Sequence, residues 1–160
     1  MATNLVFDIS KAEIWNTANN QYDDLGVTKG GATFSQTVNT MDITDDQDSD
    51  ALASIILEAP KTFKLNLLDA SPTNLALAFG GTVASNTVSI PSLVTGRTEK
   101  IKVTTKAVNG YKYEIEIKNA FITCESEITL SNADAATLAL TIEVLASDDG
   151  IPVTIKRVAG

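Results

Sequence analysis

Histidine is absent from this 160-residue chain, and cysteine occurs once. Without imidazole, the sequence lacks the side chain that most often serves as general base or metal ligand near neutral pH. One thiol, Cys124, closes no internal disulfide and builds no thiolate metal cluster. Within the strand-like FITCESEI it reads as a small core residue. No apolar run approaches the roughly 18 residues of a membrane helix. The opening MATNLVFDIS has neither the basic start nor the apolar stretch of a secretory signal. The expectation is a soluble chain made in a cytoplasm, with no cleaved signal, no cofactor and no membrane contact.

Clustered basic charge is missing as well. The formal net charge is -8. Residues 1–58 hold ten acidic and two basic side chains, while residues 59–160 hold ten of each, so the whole excess lies in the first third. Half of those early carboxylates stand in DITDDQDSD, at Asp42, Asp45, Asp46, Asp48 and Asp50. Nucleic-acid binding needs Lys and Arg grouped to displace phosphate counterions. The distribution here is the reverse and argues against tight DNA binding. What is present is a folding composition, 44% apolar with a mean hydropathy of +0.08, long enough to bury a core. A single domain over residues 1–160 is expected.

Alternation with period two dominates. Leu5, Phe7 and Ile9 alternate with polar neighbours, followed by Ile14 and Trp15, a turn-rich TANNQYDDLG, and GATFSQTVNTMDI as one strand. Residues 42–50 are too polar to pack and read as a loop, after which ALASIILEA resumes as a strand or short helix. Further strands are TFKLNLL, TEKIKVTTKA, YKYEIEIKN, AFITCESEITL, ATLALTIEVLA and PVTIKRV. One helix stands out. Ser71 can cap a first turn, Pro72 at the next position loses no needed donor, and Gly80 suits a left-handed terminus, which predicts a helix over 72–79. The fold class is therefore mainly β: a two-sheet sandwich or barrel with one short flanking helix and a long acidic loop near 42–50.

Residues 100–118 allow a test of register. Asn109-Gly110 favours a two-residue type I′ turn, which would set Val103 opposite Glu116 and mix charge into both faces. A three-residue loop, Val108 to Gly110, instead pairs Ile101 with Ile117, Val103 with Ile115 and Lys102 with Glu116. Register follows the buried face, so the three-residue loop is predicted, with Gly110 left-handed and forming the bulge.

Few residues suggest chemistry. Asp46, Asp48 and Asp50 open like an EF-hand loop, but Ala51 stands where glycine is required and Leu57 where a bidentate glutamate belongs. A solvated loop is the simpler reading. Serines have no histidine to activate them and no GxSxG is present. Gly30-Gly31 and Gly80-Gly81 belong to no phosphate-binding motif. Glu114 and Glu116 share one strand face with Lys102 and Lys112 nearby, as a charged wet face would. Trp15, Tyr22, Tyr111 and Tyr113 could form a sugar platform. Tyr111 and Tyr113, however, fall on the apolar face with Ile115 and Ile117, which favours core packing or a subunit contact. No catalytic, cofactor-binding or metal-ligating set emerges.

Several segments together carry a resemblance: the short N-terminal strands, LGVTKGGATF (Leu25 to Phe34), the DITDDQDSD loop, and the strand-to-helix unit TFKLNLLDASPTNLALAFGG. The closing EITLSNADAATLALTIEVLAS adds to it. With these, the chain resembles the phage major tail tube proteins. The resemblance implies a two-sheet β-sandwich with a flanking helix, assembled as hexameric rings stacked into a tube. DNA would pass through that tube during ejection without specific binding. It implies a non-enzymatic virion protein, assembled in the host cytoplasm and located in the tail. Its partners would be itself and other tail proteins such as an initiator and a terminator. It further implies that Asp42, Asp45, Asp46, Gln47, Asp48 and Asp50 lie in an inter-subunit or lumenal loop. If that loop lies between rings, a lysine such as Lys29 or Lys100 would offset its charge. The rival reading is an extracellular or capsid-decorating β-sandwich that binds sugar or protein.

Overall fold

A computed structural model of the protein describes residues 2–44, 52–123, 126–129 and 137–160. The first strands are β1 (Ala2–Phe7), β2 (Ile9–Asn16), β3 (Gln21–Asp24), β4 (Thr28–Thr37), β5 (Asn39–Ile43), β6 (Ala53–Glu58) and β7 (Lys61–Leu67). Helix α1 (Pro72–Phe79) precedes a small hairpin, β8 (Thr82–Ala84) and β9 (Thr87–Ser89). The chain then runs through β10 (Arg97–Thr105), β11 (Tyr111–Ile122), β12 (Glu127–Thr129), β13 (Thr137–Val144) and β14 (Val153–Ala159). One antiparallel sheet follows the order β1-β4-β7-β13-β11-β10-β2-β3, with β12 pairing β13 and β14 pairing β11.

The sheet curls on itself, so that the β1-β4-β7-β13 wing faces the β14-β11-β10-β2-β3 wing across one core. Alternation explains each inner face. In β7, Phe63, Leu65 and Leu67 are buried while Lys64 and Asn66 are exposed; in β13, Leu138, Leu140 and Ile142 are buried. Register aligns these into rows, Phe34–Phe63–Ile142 and Ala32–Leu65–Leu140. The opposing wing supplies Ile101 and Val103 from β10 and Ile117, Ala120 and Ile122 from β11. Burial of each large side chain contributes roughly 1.5–3 kcal/mol.

β11 joins the two wings. Its inward residues are Ile115 and Ile117, then Ala120 and Ile122, a change of phase at Lys118–Asn119. Opposite, the register shifts between Glu99 and Ile101, which marks a bulge of one extra residue in β11. Along the same edge, Tyr111–Ile117 pairs with β14 and Ala120–Ile122 pairs with β13. The sequence pattern reads this segment as two strands, YKYEIEIKN and the start of AFITCESEITL. The backbone is continuous, and the bulge is what flips the face.

Helix α1 spans the predicted residues. Ser71 accepts a hydrogen bond from the Asn74 amide at 3.3 Å, Pro72 opens the first turn, and Gly80 is left-handed at φ 70°. The β10–β11 register is also as predicted, with Ile101 opposite Ile117, Val103 opposite Ile115 and Lys102 opposite Glu116. The turn itself differs. Val108 and Tyr111 exchange both backbone hydrogen bonds, and Asn109 and Gly110 both take positive φ, at 53° and 80°. That is a two-residue type I′ turn. The extra residue needed to bring Val103 opposite Ile115 sits upstream, between Thr104 and Val108, rather than at Gly110.

Three further boundaries depart from the sequence reading. The early alternation Leu5–Ile9 breaks at Asp8, sending β1 to β4 and β2 to β10. TANNQYDDLG contains a tight turn and then strand β3. GATFSQTVNTMDI splits at Val38 into β4 and β5, whereas ALASIILEA forms the expected strand, β6. Asp42 and Ile43 therefore belong to a strand, and residues 45–50 of the expected acidic loop lie outside the described residues. Cys124 lies outside the described residues.

Candidate functional site

The LGVTKGGATF stretch leads into β4, which pairs with β1 on one side and β7 on the other. Between Thr28, opposite Leu67, and Ala32, opposite Leu65, β4 carries two more residues than β7. Gly30 and Gly31 take the strain at φ 78° and 72°, where a side chain is disfavoured. Lys29 stands exposed beside this bulge. At the opposite end of β4, the chain passes through Val38 into β5 and returns through β6 to β7. The Thr37 amide donates to the Pro60 carbonyl at 3.0 Å where the arm leaves the body.

The β5–β6 arm is a two-stranded ribbon separate from the main sheet, and every residue in it is exposed. Its register sets Met41 opposite Ile55, Thr40 opposite Ile56 and Ile43 opposite Ala53. Ser54 Oγ donates to Asp42 Oδ1 at 2.5 Å, and Asn39 Nδ2 donates to Glu58 Oε1 at 2.6 Å. Met41, Ile43, Leu52, Ile55, Ile56 and Leu57 all face solvent, Ile56 at 65% of its full exposure. A lone two-stranded ribbon is marginal in water. Of the candidate loop residues, Asp42 is placed here; Asp45, Asp46, Gln47, Asp48 and Asp50 lie outside the described residues, as does Ala51 of the EF-hand comparison.

The aromatic and carboxylate candidates separate into two places. Trp15 and Tyr22 meet edge to face on the outer surface of β2 and β3, with ring centres 5.1 Å apart. Lys100 Nζ lies 5.1 Å from the Trp15 ring and Lys102 Nζ lies 5.5 Å from the Tyr22 ring. Tyr22 Oη donates to Glu116 Oε2 at 3.3 Å, and Lys102 approaches Glu114 at 3.9 Å. Burial and the neighbouring Glu116 charge push the Tyr22 hydroxyl well above its usual ionisation range. Glu114 and Glu116 thus belong to a charge-paired outer face. Tyr111 and Tyr113 are not core residues. They continue the Ile115–Ile117 face past the end of the core, 47% and 42% exposed, and Arg157 stacks 4.5 Å from the Tyr111 ring.

The sequence gives no sign of a cleft of about 490 Å³ at the Lys29 end of the body. It forms where the β2–β3 turn, the start of α1 and the start of β10 converge, so no local pattern announces it. Asn16 Nδ2 donates to Asp23 Oδ2 at 2.7 Å, the Gly26 amide donates to Asp24 Oδ1 at 2.8 Å, and Arg97 pairs with Glu99 at 2.7 Å. These carboxylates organise turns and pair with their neighbours. Among the described residues there is no grouping of three or more metal-ligating side chains, and no helix is long and apolar enough to cross a membrane.

An exposed apolar arm projecting from a curled β-sandwich defines a subunit built for assembly. The family described as phage tail tube protein matches residues 3–155, and the chain belongs to that family. It is a structural tail tube subunit. Among solved structures, one similar chain comes from the tail of an empty GTA particle, computed by helical refinement with C6 symmetry. It has 9% identity and a TM-score of 0.56, covering 91% of this chain and 94% of that one. No curated protein matches.

Proposed function

We propose that copies of this chain close into six-membered rings that stack into a tail tube and act mechanically, as a conduit that DNA crosses without specific binding. The observation that carries this reading is the β5–β6 arm, exposed along its whole length with apolar side chains on it. Membership of the tail tube family and likeness to a C6 tail support it. Sheet edges at β1, β3 and β14 offer further backbone donors and acceptors to neighbouring copies. A ring closes through heterologous contacts, in which one patch meets a different patch on the next copy. The same reading makes the chain a non-enzyme of the virion tail, assembled in the host cytoplasm with initiating and terminating tail proteins as further partners.

We further propose that Asp42, with Asp45, Asp46, Gln47, Asp48 and Asp50 between β5 and β6 in sequence, takes part in contacts between rings. The arm leaves the body at the opposite end of β4 from Lys29, roughly 30 Å away at about 3.3 Å per residue. In a stack, the acidic arm of one ring and Lys29 of the next are then the ends that meet. Lys100, held over Trp15 on the outer face, takes no part.

Negative-stain electron microscopy of the purified chain tests the proposal. Rings or hollow tubes of even width are expected. Dispersed small particles at every concentration and salt would instead favour a β-sandwich that binds a separate partner.

A further inference from the structure

Ten of the seventeen large apolar side chains that are exposed among the described residues fall in two segments of the chain. Six belong to the arm: Met41, Ile43, Leu52, Ile55, Ile56 and Leu57. The other four, Val83, Ile90, Leu93 and Val94, belong to a strip comprising the β8–β9 hairpin and the irregular residues that follow it. Leu93 is 85% exposed. Apolar surface of this extent on one molecule marks an interaction site.

The strip has a second property. Residues 70–96 contain no charged side chain, in a chain where 20% of residues are charged. An uncharged surface suits a partner whose own contact face is uncharged, because no ion must be stripped of water on either side. One face of the arm meets that description. Met41 and Ile43 stand there opposite Ile55 and Ala53, while Asp42 pairs with Ser54 on the reverse face. Five to six arm residues span roughly 17–20 Å, and the strip presents its apolar side chains over the hairpin and the bend at Ser92–Leu93.

We propose that the arm of one copy lies on the Val83–Val94 strip of another copy, its Met41–Ile55 face against Ile90 and Leu93. This rests on the assembly reading above and names the surface that receives the arm. The strip runs into Arg97 at the Lys29 end of the body, whereas the arm leaves from the other end. The contact is therefore head to tail. It does not satisfy itself in a pair, and each copy keeps one free arm and one free strip.

The test uses the full chain with Cys124→Ser, to which Ile55→Cys and Leu93→Cys are added singly and together. Assemblies are oxidised and run on denaturing, non-reducing gels. The double variant should give a ladder of three or more copies, which reduction collapses, and neither single variant should pass the dimer. Leu93→Asp, at a position too exposed to matter for folding, should raise the concentration needed for assembly at least tenfold while leaving the circular dichroism spectrum unchanged. Tubes that form with no cross-link, a cross-link within one chain, or Leu93→Asp assembling at the wild-type concentration would overturn the inference and leave the tube reading intact. A wild-type chain that never assembles would overturn both.

Discussion

The side-chain amide of Asn74 donates to the Leu25 carbonyl at 2.8 Å, bridging 49 positions of sequence. The same nitrogen donates to the Asp69 carbonyl at 2.8 Å, and Asn74 is only 4% exposed. A single amide thus ties the start of α1 to the loop before β4 and to the end of β7. Removing it leaves buried carbonyls without a donor, a loss of about 1–3 kcal/mol. Asn74→Ala should lower the unfolding free energy of the monomer by that amount in urea titrations, and more than the approximately 1 kcal/mol expected for Ser71→Ala at the cap.

Gly96 is set by close approach. A Cβ there would lie 1.9 Å from the Phe121 ring, a distance no contact tolerates, so either the ring or the strand start must move. Gly96→Ala should destabilise the monomer by about 1–3 kcal/mol, measured by thermal unfolding. Pairing it with Phe121→Ala should recover part of the steric loss, and a cycle of the two variants with no coupling would count against the contact.

Tyr22 gives a pH dependence whose sign follows from its raised ionisation. The folded state holds the phenol neutral beside Glu116, while in the unfolded chain it ionises near its usual value of about 10. Stability from this site is fully present below that value and falls as pH rises toward the folded-state range. Wild type should lose stability above about pH 10 more steeply than Tyr22→Phe. Difference absorbance between the two should assign the missing tyrosinate signal to the highest part of the titration.

The acidic arm makes a fourth case. Replacing Asp42, Asp45, Asp46, Asp48 and Asp50 together with Asn should leave the monomer folded, because every described residue of the two arm strands is exposed. It should change tube length or stability, with the difference from wild type shrinking as salt screens the exposed charges. Tubes indistinguishable from wild type in electron micrographs at every salt concentration would remove the loop from any part in stacking.

The features legible in the sequence are those written within a few consecutive residues. Ser71, Pro72 and Gly80 mark the ends of α1 because capping chemistry is local. The pairing of Ile101 with Ile117 follows from which faces must be dry. Asn109-Gly110 keeps its own preferred turn, and a bulge upstream reconciles that turn with the register; two local rules were in conflict and the backbone satisfied both. Less legible was anything that depends on what covers a face. Thr40, Met41, Asp42 and Ile43 alternate like a half-buried strand, yet their own chain leaves them bare. Tyr111 and Tyr113 share the phase of Ile115 and Ile117 but extend beyond the core. The cleft joins segments far apart in sequence, and the LGVTKGGATF motif proves to be a bulge and strand of the body, with the exposed surface lying in the arm beyond it.

Strand β11 belongs to both wings, pairing with β14 before its bulge and with β13 after it. Neither wing can slide past the other without tearing that shared ladder, so the body behaves as one stiff block under load. Bending of a tube made from such blocks is confined to the joints between them. In the arrangement proposed above, the compliance of the tail is set by the arms and the surfaces they rest on, and a stiffer or softer tail can arise without altering a single core residue.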